Sequence, residues 1–214
     1  VADALALEGS LEDRVEKERR GLKREALVVV GQAVTCAEVR REDARAAFQR
    51  AMEGDAEDAE GGVWVDSMMG LGNLDLLDGA TEDALTWFEK AHAQADGSKN
   101  WEAMAVASGS VGNALAKLNR TQEAKAAYER QRREADELMR KEKTQAGLSL
   151  VVDSFRGEGM VSAQMGDFER AVAVWGLAVP IAKQIGKFDV VFLLETRIRE
   201  ISEALGQSSP AIPV

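Results

Sequence analysis

Apolar residues along this chain recur every three or four positions, which is the spacing of an amphipathic helix, and no segment alternates apolar and polar residues over the length of a strand. Proline occurs only at positions 180, 210 and 213, so no proline interrupts a helix before residue 180. The pattern therefore predicts an all-α fold. Four helical hairpins and an amphipathic capping helix are expected over about 22–52, 63–95, 100–140, 144–182 and 188–205.

The segments outside the hairpins differ in character. A charged helical arm is expected over 1–21, with Ser10 as a candidate N-cap. The acidic, glycine-containing segment 53–62 is expected to be a long loop. A flexible tail is expected over 206–214, where two of the three prolines lie.

A unit of about 40 residues repeats along this pattern, and its landmarks are a glycine on the first helix, an alanine twelve residues later and an aromatic residue four residues after that. The three clearest sets are Gly72, Ala84 and Phe88, then Gly112, Ala124 and Tyr128, then Gly159, Ala171 and Trp175. An earlier copy keeps Ala44 and Phe48 without a glycine in register. A further alanine follows the aromatic residue in most copies, with Gln131 as the exception.

Glycine inside a helix costs about 1 kcal/mol relative to alanine, so its recurrence in one phase predicts close packing of helices. We expect the two backbones of each hairpin to approach at the glycine. We expect the aromatic ring to fill the gap to the neighbouring hairpin.

These residues closely resemble the tetratricopeptide repeat, whose hairpin has a small residue at position 8, alanine at position 20 and an aromatic residue at position 24. The resemblance covers about residues 22–180 and is weakest in the first unit. It implies a right-handed superhelical solenoid of about four hairpins, in which the first helix of each hairpin lines a concave groove. Repeats of 40 residues, longer than the usual 34, imply longer helices.

The resemblance also implies which side chains line the groove. We call this set the groove residues: Asp66, Met69, Asn73, Leu77, Val106, Asn113, Lys117, Asp153, Arg156, Met160 and Gln164. Asn73 and Asn113 share one phase, and an amide can both donate to and accept from an extended peptide backbone. The alternative is that each amide caps a turn or binds water. Asp66 and Asp153 favour a neutral or basic ligand segment.

The family's carboxylate clamp for the C-terminal acid of heat-shock chaperones needs lysine, arginine and asparagine at defined groove positions. This chain has Met69, Ser110, Asp153 and Gly157 at such positions. No chaperone clamp is therefore expected.

Composition excludes several classes of function. The net charge is −10, and the most basic stretch, residues 130–143, is interspersed with acids and is interpreted as a solvated helix surface, so a nucleic-acid partner is not expected. No apolar run approaches the ~18 residues of a membrane-spanning helix, so we expect a soluble protein without membrane insertion. Because the chain begins at Val1, a cleaved leader and an organellar location are one expectation beside the cytoplasm.

Candidate catalytic chemistry is sparse. His92 is the only histidine and Cys36 the only cysteine, and both are interpreted as packing or surface residues. No metal-ligand spacing and no phosphate-binding glycine loop occurs, so no enzyme activity, metal or cofactor is expected. Met68, Met69 and Met160 fit either core packing or an adaptable binding surface.

The sequence leaves two functions open. The first is a protein interaction module, an adaptor, scaffold or assembly factor that binds a partner protein or an extended peptide in the concave groove. The second is a constitutive structural subunit of a larger complex, organellar or otherwise, that docks through its convex face and its termini.

Overall fold

The computed structural model describes residues 22–23, 25, 28, 41–53, 61–142 and 144–206. All regular secondary structure in these residues is helical, which confirms the predicted all-α fold. None of the described helices combines the length and the apolarity that crossing a bilayer requires. The predicted arm over 1–21, most of the first helix of the first hairpin with Cys36, the loop residues 54–60 and the tail after Gly206 lie outside the described residues.

Eight helices have defined bounds in the described part of the chain. They are α1 Arg41–Ala51, α2 Gly61–Leu77, α3 Thr81–Gly97, α4 Trp101–Lys117, α5 Thr121–Glu142, α6 Gln145–Gln164, α7 Phe168–Gln184 and α8 Phe188–Ala204.

These helices belong to two compact units, one within Val1–Ser98 and the other within Lys99–Val214. In the first unit α2 packs against α1 and α3. In the second unit each helix from α4 to α8 packs against the next, and α4 also contacts α6. The contact between α4 and α6 places two first helices side by side, on the same side of α5.

The turn inside each complete hairpin requires one residue in the left-handed region. That residue is Gly79, Asn119 or Gly166, with φ of 81°, 58° and 79°. At the last of these, the N–H of Gly166 donates to Ala163 O and the N–H of Asp167 donates to Ser162 O, which satisfies carbonyls that the helix end leaves open. The side chain of Asp167 then accepts from the N–H of Arg170 and begins α7.

Aromatic rings of second helices rest on glycines of first helices. A Cβ added at Gly112 would lie 2.7 Å from Cε1 of Tyr128, which is too close for any real Cβ atom. Gly72 meets Phe88 and Gly159 meets Trp175 in the same way. The expectation that two backbones meet at the glycine is therefore wrong in its detail, because the space left by the missing Cβ holds a ring.

Two of these rings also rest on a first helix of the adjacent hairpin. Tyr128 lies against Gly157 of α6 as well as its own Gly112, and Phe48 lies against Gly70 of α2. The rings thus join neighbouring hairpins within a unit, as the sequence predicted. At the one position where alanine was missing from the pattern, the buried Gln131 side chain packs against Gly109, a glycine outside the repeat pattern.

A buried carboxylate ties three helices of the second unit together. The Glu158 side chain on α6 is only 3% exposed and pairs with Arg132 of α5 at 2.8 Å and with Arg170 of α7 at 2.7 Å. Desolvation alone would raise the pKa of Glu158, but hydrogen bonds from Arg170 and Arg132 outweigh it and lower the pKa below its ordinary 4.5. Arg132 also lies 4.9 Å from the centre of the Phe155 ring.

This network corrects the interpretation of residues 130–143 as a solvated surface. Arg132 is part of the Glu158 network, and the neighbouring Glu134 is itself buried and accepts a 2.6 Å hydrogen bond from Ser108. One face of this stretch of α5 is therefore interior.

We predict that Gly157→Ala lowers the free energy of unfolding by about 1–3 kcal/mol, because its Cβ would overlap the Tyr128 ring and overpacking has that cost. The matched control is Gly176→Ala on α7, where an added Cβ meets nothing within 4 Å. Helix propensity alone should make that variant as stable as the native protein or up to about 1 kcal/mol more stable. Urea unfolding measures both, and an equal loss in the two variants would contradict the ring-on-glycine contact.

We predict that Glu158→Gln lowers the free energy of unfolding by about 1–3 kcal/mol at pH 7, because two charge-assisted hydrogen bonds are weakened. The folded-state pKa of Glu158 is depressed, so its ionic contribution is present above pH 4.5 and is lost as the pH falls through the folded-state value. Urea unfolding of both proteins between neutral and acidic pH should therefore show the difference shrinking below pH 4.5. A difference that stays constant would mean that the defect is one of shape and not of charge.

Candidate functional site

A cleft of about 650 Å³ opens in the second unit between α6 and α8, with Trp175 of α7 and Asn113 of α4 also lining it. Its apolar lining residues are Met160, Ala163, Trp175, Leu193, Leu194 and Ile201. Its polar lining residues other than Asn113 are Asp153, Arg156, Gln164, Arg197 and Glu200. We refer to this feature as the cleft.

The cleft brings together part of the predicted groove set. Asn113, Asp153, Arg156, Met160 and Gln164 all line it. The structure places the other groove residues elsewhere on first helices: Val106 and Lys117 are exposed on α4, and Asp66, Met69, Asn73 and Leu77 lie on α2 in the other unit. Of these, Met69 is half-buried and the remaining ones are exposed.

The charges of the cleft are paired with one another. Asp153 accepts from Arg156 at 3.3 Å and from Lys187 at 3.4 Å, and Arg197 pairs with Glu200 at 3.2 Å. A ligand is therefore not needed to neutralise any of these groups. The expectation that Asp153 favours a basic ligand loses its support, because two cations already satisfy this carboxylate.

Asn113 is held in place by the buried tyrosine of its own hairpin. The Tyr128 hydroxyl donates to Oδ1 of Asn113 at 2.8 Å. Burial raises the pKa of Tyr128 to about 12, so the hydroxyl keeps its proton and remains a donor at neutral pH. The amide carbonyl is thus occupied, while the amide NH₂ group hydrogen-bonds to no side chain or backbone group of the described residues. Of the two functions expected for this amide, accepting from a ligand is lost and donating remains.

Sequence reasoning missed the α8 side of the cleft. This helix was expected to cap the last core, and it does bury Val190, Leu194 and Ile198 against α7. It also turns Leu193 and Glu200 into the cleft, 40 residues after Asp153 and Met160 and in the same helical phase. Extending the repeat by one more step of 40 would have found them. The step was hidden because Arg199 stands where the glycine landmark would be.

The described residues contain no group of three His, Cys, Asp or Glu side chains that could hold a metal ion. His92 is half-buried on α3. The methionine alternatives divide by position: Met68 is buried in the interior, whereas Met160 is 40% exposed at the cleft. Desolvation raises the pKa of Asp66, although its side chain is exposed on α2.

The fold and the cleft together define an all-α protein of helical hairpins with one largely apolar binding cleft in its second unit. No protein-family model and no curated protein matches the chain. Among solved structures, the crystal structure of BtubC (BKLC) from P. vanneervenii is similar, with 16% sequence identity and a TM-score of 0.57. The match covers 99% of this chain and 91% of that one. At this level of identity the likeness concerns the fold alone.

We predict that Asn113→Ala lowers the free energy of unfolding by about 0.5–1.5 kcal/mol, because the buried Tyr128 hydroxyl loses its acceptor. The control is Asn73→Ala at the same phase of α2, since Asn73 is exposed and makes no side-chain hydrogen bond to a described residue. That variant should differ from the native protein by less than about 0.5 kcal/mol. Repeating Asn113→Ala in a Tyr128→Phe background should cost much less, and an undiminished cost would show that the hydrogen bond is not the cause.

Proposed function

We propose that this chain is a tetratricopeptide-like protein-interaction module that binds an apolar segment of a partner protein in the cleft. The observation that carries the proposal is the cleft itself, in which an apolar surface from Met160, Trp175 and Leu193 is bordered by charges that already pair with one another. Its volume of about 650 Å³ lies within the range of protein ligand sites.

The repeated packing supports the tetratricopeptide assignment. Glycines at one phase of three first helices each receive the aromatic ring of the following helix. The same phase turns Asn113, Met160 and Glu200 from three successive first helices toward one cleft. A concave surface built from first helices is what the resemblance implies for ligand binding.

The chemistry of the cleft indicates the kind of ligand. Because the charged side chains are satisfied internally, the gain on binding comes from removing apolar surface from water, at roughly 25 cal/mol per Å². Exposed Met160 and Leu193 supply such surface. Methionine also adapts its shape to different side chains, which suits a site for leucine-like or aromatic anchors.

The Asn113 amide adds a polar requirement. Its NH₂ group is oriented by the hydrogen bond from Tyr128 and has a donor to offer. A backbone carbonyl of the bound segment is the matching acceptor, so the ligand needs an accessible carbonyl next to its apolar anchors.

Peptides selected from a random display library on the native chain serve as probes of the cleft. We predict that Met160→Glu and Leu193→Glu each weaken the selected peptides at least about tenfold, because a charge would be buried against apolar ligand atoms. Fluorescence anisotropy measures the affinities. The matched control is Leu177→Glu on α7, which is 56% exposed and does not line the cleft.

Peptides that bind Met160→Glu and Leu193→Glu as tightly as the native chain would contradict the proposal. Failure to select any peptide, together with co-migration of the chain with a large complex at high salt, would favour the alternative of a constitutive structural subunit. Circular dichroism and melting temperature of each variant separate a lost site from a lost fold.

A further inference from the structure

Helix α8 occupies the place of the first helix of another hairpin. It follows α7 as α6 follows α5, and its end repeats the end of α6 at a distance of 40 residues: Gly206 has φ of 68°, and Gly166 has φ of 79°. Its cleft-lining residues share the helical phase of those on α6. In α4 and α6 a second helix follows and covers one side of the first helix.

That side of α8 is uncovered among the described residues. On α6 the corresponding positions are buried: Val152 is 0% exposed, and Gly159 lies under the Trp175 ring. Forty residues later Phe192 is 73% exposed and Arg199 is exposed as well, and Phe188, one turn before Phe192, is 69% exposed. A helix that only caps a core would carry polar side chains here, so these two phenylalanines call for a partner.

The uncovered side is a continuous stripe. It consists of Phe188, Phe192, Glu195, Thr196, Arg199 and Glu203, which we call the α8 stripe. At 100° per residue it lies beside the buried side of α8, on the flank opposite the cleft. Arg199 has no ionic partner among the described residues, whereas Glu195 pairs with Lys183 at 3.1 Å.

The order of residues in the α8 stripe is self-complementary. Counted from a point between Glu195 and Thr196, Phe192 and Arg199 lie equally far in opposite directions. An antiparallel copy related by a two-fold axis through that point therefore sets Arg199 of each chain over the ring of the partner's Phe192. Arginine over an aromatic face is a favourable pair, and Glu195 lies about one turn away from the incoming guanidinium. A parallel copy would instead set Arg199 against Arg199.

From this pattern we infer that the α8 stripe is the contact of a homodimer, with α8 of one chain packed antiparallel against α8 of a second copy. A single helix pair buries less than the ~1,200–2,000 Å² of a standard interface, so the dimer should be weak and should dissociate at micromolar concentrations. Two chains of net charge −10 also repel one another, and an ionic strength of ~0.15 M limits that repulsion to short range. The inference does not depend on the cleft, because the two surfaces lie on different flanks of α8.

Sedimentation equilibrium of the full chain from about 1 to 300 µM tests the inference, with a monomer–dimer equilibrium expected. Phe192→Glu should raise the dissociation constant at least about tenfold while the melting temperature stays unchanged, because the side chain is 73% exposed in the monomer. Leu177→Glu, an equally drastic change on the exposed surface of α7, should leave the equilibrium as it is. A native chain that remains monomeric throughout overturns the inference and assigns the stripe to another protein or another segment. A dimer that survives Phe192→Glu overturns it too.

The pairing of charges gives a second, sharper test. Arg199→Glu and Glu195→Arg should each weaken self-association, because each variant places like charges opposite one another. An equimolar mixture of the two variants should associate more tightly than either alone, since each charge then meets its opposite across the two-fold axis. A mixture that associates no better than its components would rule out the antiparallel arrangement.

Discussion

The fold depends on the contact between an aromatic ring on one helix and a glycine on another. Because Gly112 and Gly157 have no side chain, Tyr128 packs directly on the backbones of α4 and α6. Each ring therefore fixes both the distance between helices and their rotation about their axes. That rotation decides which residues of α4 and α6 face the cleft, and it brings the Tyr128 hydroxyl to Asn113. The same contact that stabilises the second unit thus orients a polar group of the candidate site.

Glycine weakens a helix, and ionic contacts offset part of that cost in the second unit. Glu158 lies one residue beyond Gly157, and its pairs with Arg132 and Arg170 join α6 to the helices on either side. A buried carboxylate is tolerated there because both of its oxygens accept hydrogen bonds from guanidinium groups. Shape holds the helices together at the glycines, and charge holds them together beside the glycines.

Helix α8 presents two unlike surfaces beyond the face that it buries. The flank with Leu193 and Glu200 completes the cleft, and the flank with Phe192 and Arg199 has no cover among the described residues. In the proposed function the first flank takes a ligand, and in the inferred dimer the second takes another copy. Because both flanks belong to one rigid helix, dimer formation would present two clefts at a fixed spacing, which favours ligands with two binding segments.

Residue spacing by itself determined the helical class and the phase of each hairpin, because helix periodicity and turn residues act over four or five neighbouring positions. It placed Asn113, Asp153 and Met160 on one side of their helices for the same reason. Only the tertiary structure decided that Tyr128 occupies the Asn113 carbonyl, that Glu158 is buried between two arginines and that α8 lines the cleft. These features join residues 12 to 80 positions apart on different helices, and their pairing depends on how close the helices come. That distance is set by rings packed on glycines, a contact that no local pattern encodes.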